Sequence, residues 1–186
     1  GARDARADVE YVVLYDLSFT GCHICLLCKL KDARRCHCFW KDDLSLLIDK
    51  AFAADALIIG TPIYFGDVTS QFHALSERLR FVALSYDDFG SYFEGTVNLG
   101  VILTMNVASE RYEGEYEDKL AGQFDGIARF LNGDVRVLPV CDTLQVDDYS
   151  KYAMNGFDGT RKHEGRKVRF PQELEAARLM GAELSA

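Results

Sequence analysis

Residues 54–66 read ADALIIGTPIYFG, and a segment with helical spacing follows from Asp67. Within this stretch, Ala56 to Ile59 form a continuous apolar run, which is typical of a strand that helices cover on both faces. After Asp67, the apolar residues step by four and three positions, which predicts one buried helix face; they are Val68, Phe72, Leu75, Leu79 and Val82. A strand that leads into a helix in this way favours a parallel sheet and an α/β fold.

The same alternation continues on both sides of this stretch. Further runs rich in branched residues predict strands at Tyr11–Tyr15, Val97–Met105 and Val135–Val140. We expect a helix capped by Asp42 and a second with an apolar stripe from Tyr116 to Leu131 that stops at Gly133. A last helix is expected from Pro171 to Leu184, with Leu174, Ala177, Met180 and Leu184 facing inward. Because open parallel sheets bind ligands at the carboxyl ends of their strands, the loops at those ends are the candidate sites.

The composition indicates one soluble globular domain. The chain has 186 residues, of which 48% are hydrophobic and 27% charged, with three prolines; we treat residues 1–186 as one domain in which residues 142–186 form a C-terminal extension and helix. A formal charge of −8 disfavours nucleic acid and anionic membrane surfaces as partners. There is no export signal and no apolar run near the roughly 20 residues that cross a bilayer, so we expect a cytoplasmic protein.

The loop after the apolar run at 56–59 has the composition of a ligand loop. Gly60 and Gly66 permit close backbone approach, and Pro62 stiffens the turn. Tyr64 and Phe65 offer flat surfaces that suit a planar heterocycle, although covering the end of the sheet explains them equally well.

Several segments together resemble the flavodoxin-like NAD(P)H-dependent FMN reductase family, in its iron-sulfur flavoprotein branch. They are GCHICLLC at 21–28, ADALIIGTPIYFG at 54–66, LTMN at 103–106 and DTLQVDDYSKY at 142–152. The resemblance implies a three-layer α/β sandwich that binds FMN. It implies two sets of flavin contacts: Thr61, Pro62, Ile63, Tyr64, Phe65 and Gly66, and then Thr104, Met105 and Asn106. On residue type alone, Thr104 and Asn106 fit ordinary loop capping better.

The beginning of the chain departs from the family. The family's first strand and phosphate loop do not appear before Ala7, and Tyr11–Tyr15 resembles the family's second strand. Either residues upstream are missing, or the second strand pairs directly with the third. We expect the former, because an unfilled central strand position leaves backbone groups unpaired.

Five of the six cysteines lie between Cys22 and Cys38. Their compact spacing allows one segment to present several thiolates to a metal. The resemblance implies a 4Fe–4S cluster bound by Cys22, Cys25, Cys28 and Cys36, and Cys38 is an alternative fourth ligand. Zinc bound with His23 or His37, a redox disulfide, and reduced thiols without any metal stay open.

The resemblance implies an oxidoreductase that takes a hydride from NADH or NADPH onto FMN and passes electrons to a small-molecule acceptor or a redox protein. No side chain is expected to act as a catalytic acid or base, and the family suggests a homo-oligomer. The alternatives are an electron-transfer module and a flavin-free domain that binds metal or protein. The basic residues between Arg161 and Arg169 are interpreted as a charged surface helix, although they could attract cofactor phosphates.

Overall fold

The computed structural model describes residues 1–185 and contains a parallel sheet with the strand order β1-β2-β3. The strands are β1 Ala56–Pro62, β2 Asn98–Thr104 and β3 Val135–Val140. The register places Pro62 opposite Thr104 and Thr104 opposite Val140, so the carboxyl ends of all three strands meet at one edge. The predicted α/β class is confirmed, and the arrangement agrees with a flavodoxin-like fold.

Helices connect and cover the strands. They are α1 Asp43–Ala53, α2 Ser70–Ala83, α3 Ser109–Arg111, α4 Glu117–Leu131, α5 Gly159–Val168 and α6 Phe170–Glu183. A wider π-helical turn, Tyr112–Tyr116, joins α3 to α4. Short 3-10 turns occur at Leu14–Asp16, Leu27–Lys29 and Tyr149–Lys151. No helix within residues 1–185 is long and apolar enough to cross a membrane.

The main core lies on one face of the sheet. Leu99, Val101 and Leu103 alternate along β2, are fully buried, and pack in one cluster with the apolar faces of α1, α2 and α4. Burying each such side chain contributes about 1.5–3 kcal/mol. On the other face, a Cβ at Gly100 would lie 2.7 Å from Leu184 Cδ1, so the end of α6 approaches the central strand closely. The sheet is therefore covered on both faces.

Local capping explains where three helices begin and end. The Asp42 side chain accepts a hydrogen bond from Ser45 N, which confirms the predicted cap of α1. The Thr69 side chain caps α2 by accepting a hydrogen bond from Phe72 N, so this helix begins at Ser70 and not at Asp67, where its spacing starts. At the end of α4, Asn132 adopts the left-handed conformation (φ 54°) that ends the helix, in the place where Gly133 was expected to do so.

The strand predicted at Tyr11–Tyr15 is wrong. The segment is irregular and ends in the turn Leu14–Asp16, and the side chains of Tyr11 and Tyr15 are 81% and 62% exposed. An apolar run forms a strand only where a neighbouring strand pairs with its backbone, and within residues 1–185 the outer edge of β1 has no strand partner. The prediction that Leu174 faces inward is also wrong, because its side chain is exposed.

Candidate functional site

Two loops lie side by side at the carboxyl edge of the sheet. The first starts at Thr61, in the last two residues of β1, and continues to Gly66; the second starts at Thr104, the last residue of β2, and continues to Asn106. Ile63 N donates a hydrogen bond to Thr104 O at 2.8 Å, which joins the two loops directly. The structure therefore brings together the two sets of residues that were predicted to contact a flavin.

The first loop ends in a tight turn. Tyr64 N donates to Asp67 O at 2.9 Å and Asp67 N donates to Tyr64 O at 3.1 Å, while Phe65 (φ 54°) and Gly66 (φ 73°) both adopt left-handed conformations. This conformation is strained for a bulky residue such as Phe65, whose side chain is fully exposed at the tip. Within residues 1–185, the N–H groups of Phe65 and Gly66 have no hydrogen-bond acceptor. The turn therefore presents an aromatic ring beside free donors.

Helix α4 and the residue that precedes it, Tyr116, hold the turn in place. The Tyr116 ring packs so closely over Gly66 that a Cβ there would lie 2.7 Å from Tyr116 Cε1. Lys119 Nζ donates to Gly66 O at 3.1 Å and to Asp67 Oδ2 at 3.0 Å, and Gln123 Nε2 donates to Asp67 Oδ1 at 3.0 Å. Burial raises the pKa of Asp67, but the bonds from Gln123 and Lys119 outweigh it and lower that pKa to about 2. An ionised carboxylate thus anchors the turn.

Two of the nine predicted flavin contacts have buried side chains. Thr61 is buried, and its hydroxyl donates to Pro62 O at 3.1 Å and accepts from Thr69 N at 3.4 Å. Met105 is also buried in the core. These two residues shape the loops: Met105 N donates to Val140 O and Met105 O accepts from Thr143 N, and neither side chain is open to a ligand.

The side chain of Asn106 is held by two residues that follow β3, Gln145 and Lys162. Its Nδ2 donates to Gln145 Oε1 at 3.0 Å, and its Oδ1 accepts from Lys162 Nζ. Lys162 is itself buried and lies 2.6 Å from Asp142 Oδ1. Burial raises the pKa of Asp142, but Lys162 and then Arg161 outweigh it, so the pKa is lowered. The interpretation of this basic segment as a solvated surface was wrong for Lys162.

Sequence reasoning had no signal for the Asp142–Lys162 pair. Helix α5 is strongly polar, and only Lys162 of its residues is buried. Asp142 was predicted only as part of a family segment, and its left-handed backbone (φ 50°) directs its carboxylate toward α5.

The cysteine segment does not form a ready metal site. Cys22, Cys25 and Cys28 line one small pocket, and Cys38 lines it with them, whereas Cys36 does not. No group of three or more His, Cys, Asp or Glu side chains among residues 1–185 is arranged to share a metal ion. The cluster expected on Cys22, Cys25, Cys28 and Cys36 is therefore not supported. Burial raises the pKa of Cys36 to about 11, so its thiol is protonated.

The two histidines considered as zinc ligands have other partners. His23 stacks on Trp40 with the ring centroids 3.9 Å apart and bonds Thr20 Oγ1 at 2.6 Å. His37 Nδ1 lies 2.7 Å from Asp49 Oδ1. Both imidazole rings are thus held by neighbouring side chains.

A buried arginine underlies the cysteine segment. Arg78 on α2 is 1% exposed and bonds Asp42 Oδ2 at 2.5 Å, Ser45 Oγ at 2.8 Å and Cys38 Sγ at 3.1 Å. Burial raises the pKa of Asp42, but the bond to Arg78 and its charge outweigh that effect, so the pKa is lowered. This ion pair joins α1 to α2 and was not predicted, because it depends on packing between the two helices.

Comparison with known proteins identifies relatives of part of the chain. The family described as NADPH-dependent FMN reductase matches residues 1–113. An iron-sulfur flavoprotein of Methanocaldococcus jannaschii is 33% identical over 78 residues, or 42% of this chain and 38% of that protein. One from Archaeoglobus fulgidus is 37% identical over 73 residues, or 39% of this chain and 34% of that protein. The matched region thus spans little more than a third of either relative.

Proposed function

Because the chain belongs to the NADPH-dependent FMN reductase family, we propose that it is a flavin-dependent oxidoreductase. It takes a hydride from NAD(P)H onto FMN and passes electrons to a small-molecule or protein acceptor. The observation that carries this proposal is the pairing of the two loops, with the strained and fully exposed Phe65 at the tip of one of them. In this proposal the Phe65 ring is held out at the paired loops because it contacts the flavin.

The residues present at the site fit the ring system of a flavin. The exposed rings of Tyr64 and Phe65 offer apolar faces. The main-chain N–H groups of Phe65 and Gly66 and the side-chain amide N–H of Asn106 are donors that match the carbonyl and nitrogen acceptors along a flavin edge. When bound, FMN supplies the hydride-accepting chemistry. The chain holds the ring in place, and its donors favour negative charge on the ring edge.

The phosphate of FMN has no matching loop within residues 1–185, because the first strand in this part of the chain is β1. Charge-assisted hydrogen bonds to a phosphate contribute about 1.5–3 kcal/mol each. Without them, we expect the chain to bind FMN and riboflavin with affinities that differ by less than about tenfold.

The experiment titrates the purified chain with FMN and follows the quenching of flavin fluorescence. Phe65→Ala should weaken binding by about tenfold, as the loss of a stacked aromatic worth about 1–1.5 kcal/mol predicts. Phe89→Ala is the matched control, since Phe89 is also exposed and left-handed (φ 59°) but lies after the other end of α2. It should bind FMN like the parent chain.

The enzymatic part of the proposal is tested by NAD(P)H oxidation with a quinone acceptor. Turnover that requires FMN and falls in Phe65→Ala supports an oxidoreductase. Bound FMN without NAD(P)H turnover contradicts that activity and favours an electron-transfer module. An absence of FMN binding contradicts the flavin site itself and favours a flavin-free binding domain.

A further inference from the structure

We infer that Lys162 is a positioning residue, which fixes the amide of Asn106 so that this side chain acts as a hydrogen-bond donor toward the flavin. The inference rests on the proposed function. It assigns a role in the flavin site to α5, in the C-terminal part of the chain, which contributes none of the predicted flavin contacts.

The contacts of the Lys162 ammonium group use all of its donors. Nζ lies 2.7 Å from Asn106 O and 2.6 Å from Asp142 Oδ1, and it also bonds Asn106 Oδ1. An ammonium group has three donors and no acceptor, so it bonds the amide oxygen and repels the amide NH2. Lys162 therefore selects one of the two possible orientations of the Asn106 amide.

This orientation decides what Asn106 offers a ligand. With its oxygen held by Lys162, the side chain has only N–H groups left, and one of them donates to Gln145 Oε1 at 3.0 Å. The other has no acceptor within residues 1–185, which leaves it for an acceptor atom of the ligand. It is thus a further N–H donor without an acceptor on these loops, besides the main-chain N–H groups of Phe65 and Gly66.

The charged groups around Lys162 also favour an electron-rich ligand beside Asn106. Asp142 is the carboxylate that faces it, and Arg161 Nε at 2.9 Å and Arg169 Nη1 at 3.8 Å approach the same carboxylate. Arg169 Nε also pairs with Glu173 Oε1 at 3.0 Å, so these three cations and two carboxylates carry one net positive charge near Asn106. Such an environment favours added negative charge on a bound flavin, and thus a higher reduction potential.

The test measures the FMN dissociation constant and the midpoint potential of bound FMN in Lys162→Met. We expect the dissociation constant to rise by about tenfold, as the loss of one oriented hydrogen bond predicts, and the potential to become more negative. Lys162→Arg keeps a cationic donor, so its FMN dissociation constant and midpoint potential should stay close to those of the parent chain. Lys167→Met removes the same charge from an exposed position on α5 and should change neither.

A double-mutant cycle separates positioning from a general effect on the fold. If Lys162 acts through Asn106, Asn106→Ala and the double variant Asn106→Ala/Lys162→Met should bind FMN equally well. Since Lys162→Met leaves Asp142 buried without its closest partner, the variant Asp142→Asn/Lys162→Met removes both charges together and keeps the measurement possible should the single variant unfold. It should also bind FMN less tightly than the parent chain.

The outcomes distinguish this inference from the proposed function. A parent chain that does not bind FMN overturns both. A parent chain that binds FMN, with Lys162→Met unchanged in affinity and potential, overturns the role of Lys162 alone. Fully additive losses in the cycle also overturn it, because they mean that Lys162 does not act through Asn106.

Discussion

Replacing Gly66 with alanine should destabilise the fold by about 2–3 kcal/mol. The left-handed backbone (φ 73°) costs a residue with a side chain about 1 kcal/mol or more. The new Cβ would also lie 2.7 Å from Cε1 and 3.2 Å from Cδ1 of Tyr116, and moving this ring costs about 1–2 kcal/mol more. Urea unfolding followed by circular dichroism measures the difference in the free energy of unfolding.

Two comparisons make this prediction specific. Gly122→Ala on α4 has no heavy atom within 4 Å of the new Cβ, so it should stabilise the helix by about 0.5–1 kcal/mol. In a Tyr116→Ala background, Gly66→Ala should lose the steric part of its cost and keep the backbone part. The reasoning about this turn is refuted if the free energy of unfolding of Gly66→Ala lies within about 0.5 kcal/mol of that of the parent chain. It is also refuted if Gly66→Ala lowers this free energy by the same amount when the Tyr116 ring is absent.

Three further predictions concern ionisable groups. The pKa of Asp67 is about 2 in the folded chain, below its ordinary value of 3.8, so its carboxylate stabilises the fold above pH 4. This contribution is lost as the pH falls from 4 to 2. Urea unfolding of Asp67→Asn across this range should lack that pH dependence. Arg78→Met should cost about 3–5 kcal/mol in the same assay, because it leaves Asp42 without its partner, and Asp42→Asn/Arg78→Met should recover part of the loss. With a pKa of about 11, Cys36 is about one-thousandth thiolate at pH 8, so mass spectrometry after brief alkylation should find the exposed Cys25 modified first; earlier modification of Cys36 would contradict its burial.

The strands and helices that were predicted correctly carry their signal in nearby residues. The apolar run in β1 and the four-three spacing along α2 are periodic patterns, and the cap of α1 needs only Asp42 and the backbone three residues later. The rule for open parallel sheets predicted candidate loops at the carboxyl ends of the strands, and the family resemblance selected these two; the register of β1 and β2 places them side by side.

The features that were missed depend on contacts between distant segments. Tyr11–Tyr15 has the composition of a strand, but a strand also requires a neighbour to pair with its backbone. Lys162 is buried because Asp142 and Asn106, which precede it by 20 and 56 residues, converge on it. The cysteine spacing likewise indicates which thiols are close along the chain and leaves open which of them face one another.

The π-helical turn at Tyr112–Tyr116 sets how far α3 is rotated about the helix axis relative to α4. An α-helix advances about 100° for each residue, so deleting one residue here would rotate α3 by that amount relative to α4. Tyr112, which is buried at the start of the turn, would then swing away from the interior, while Tyr116 at its end would keep its place beside Gly66. Relatives that lack this extra residue should follow a different path between Asn106 and α4, so length variation is expected at this turn while the loops at the carboxyl edge of the sheet stay unchanged.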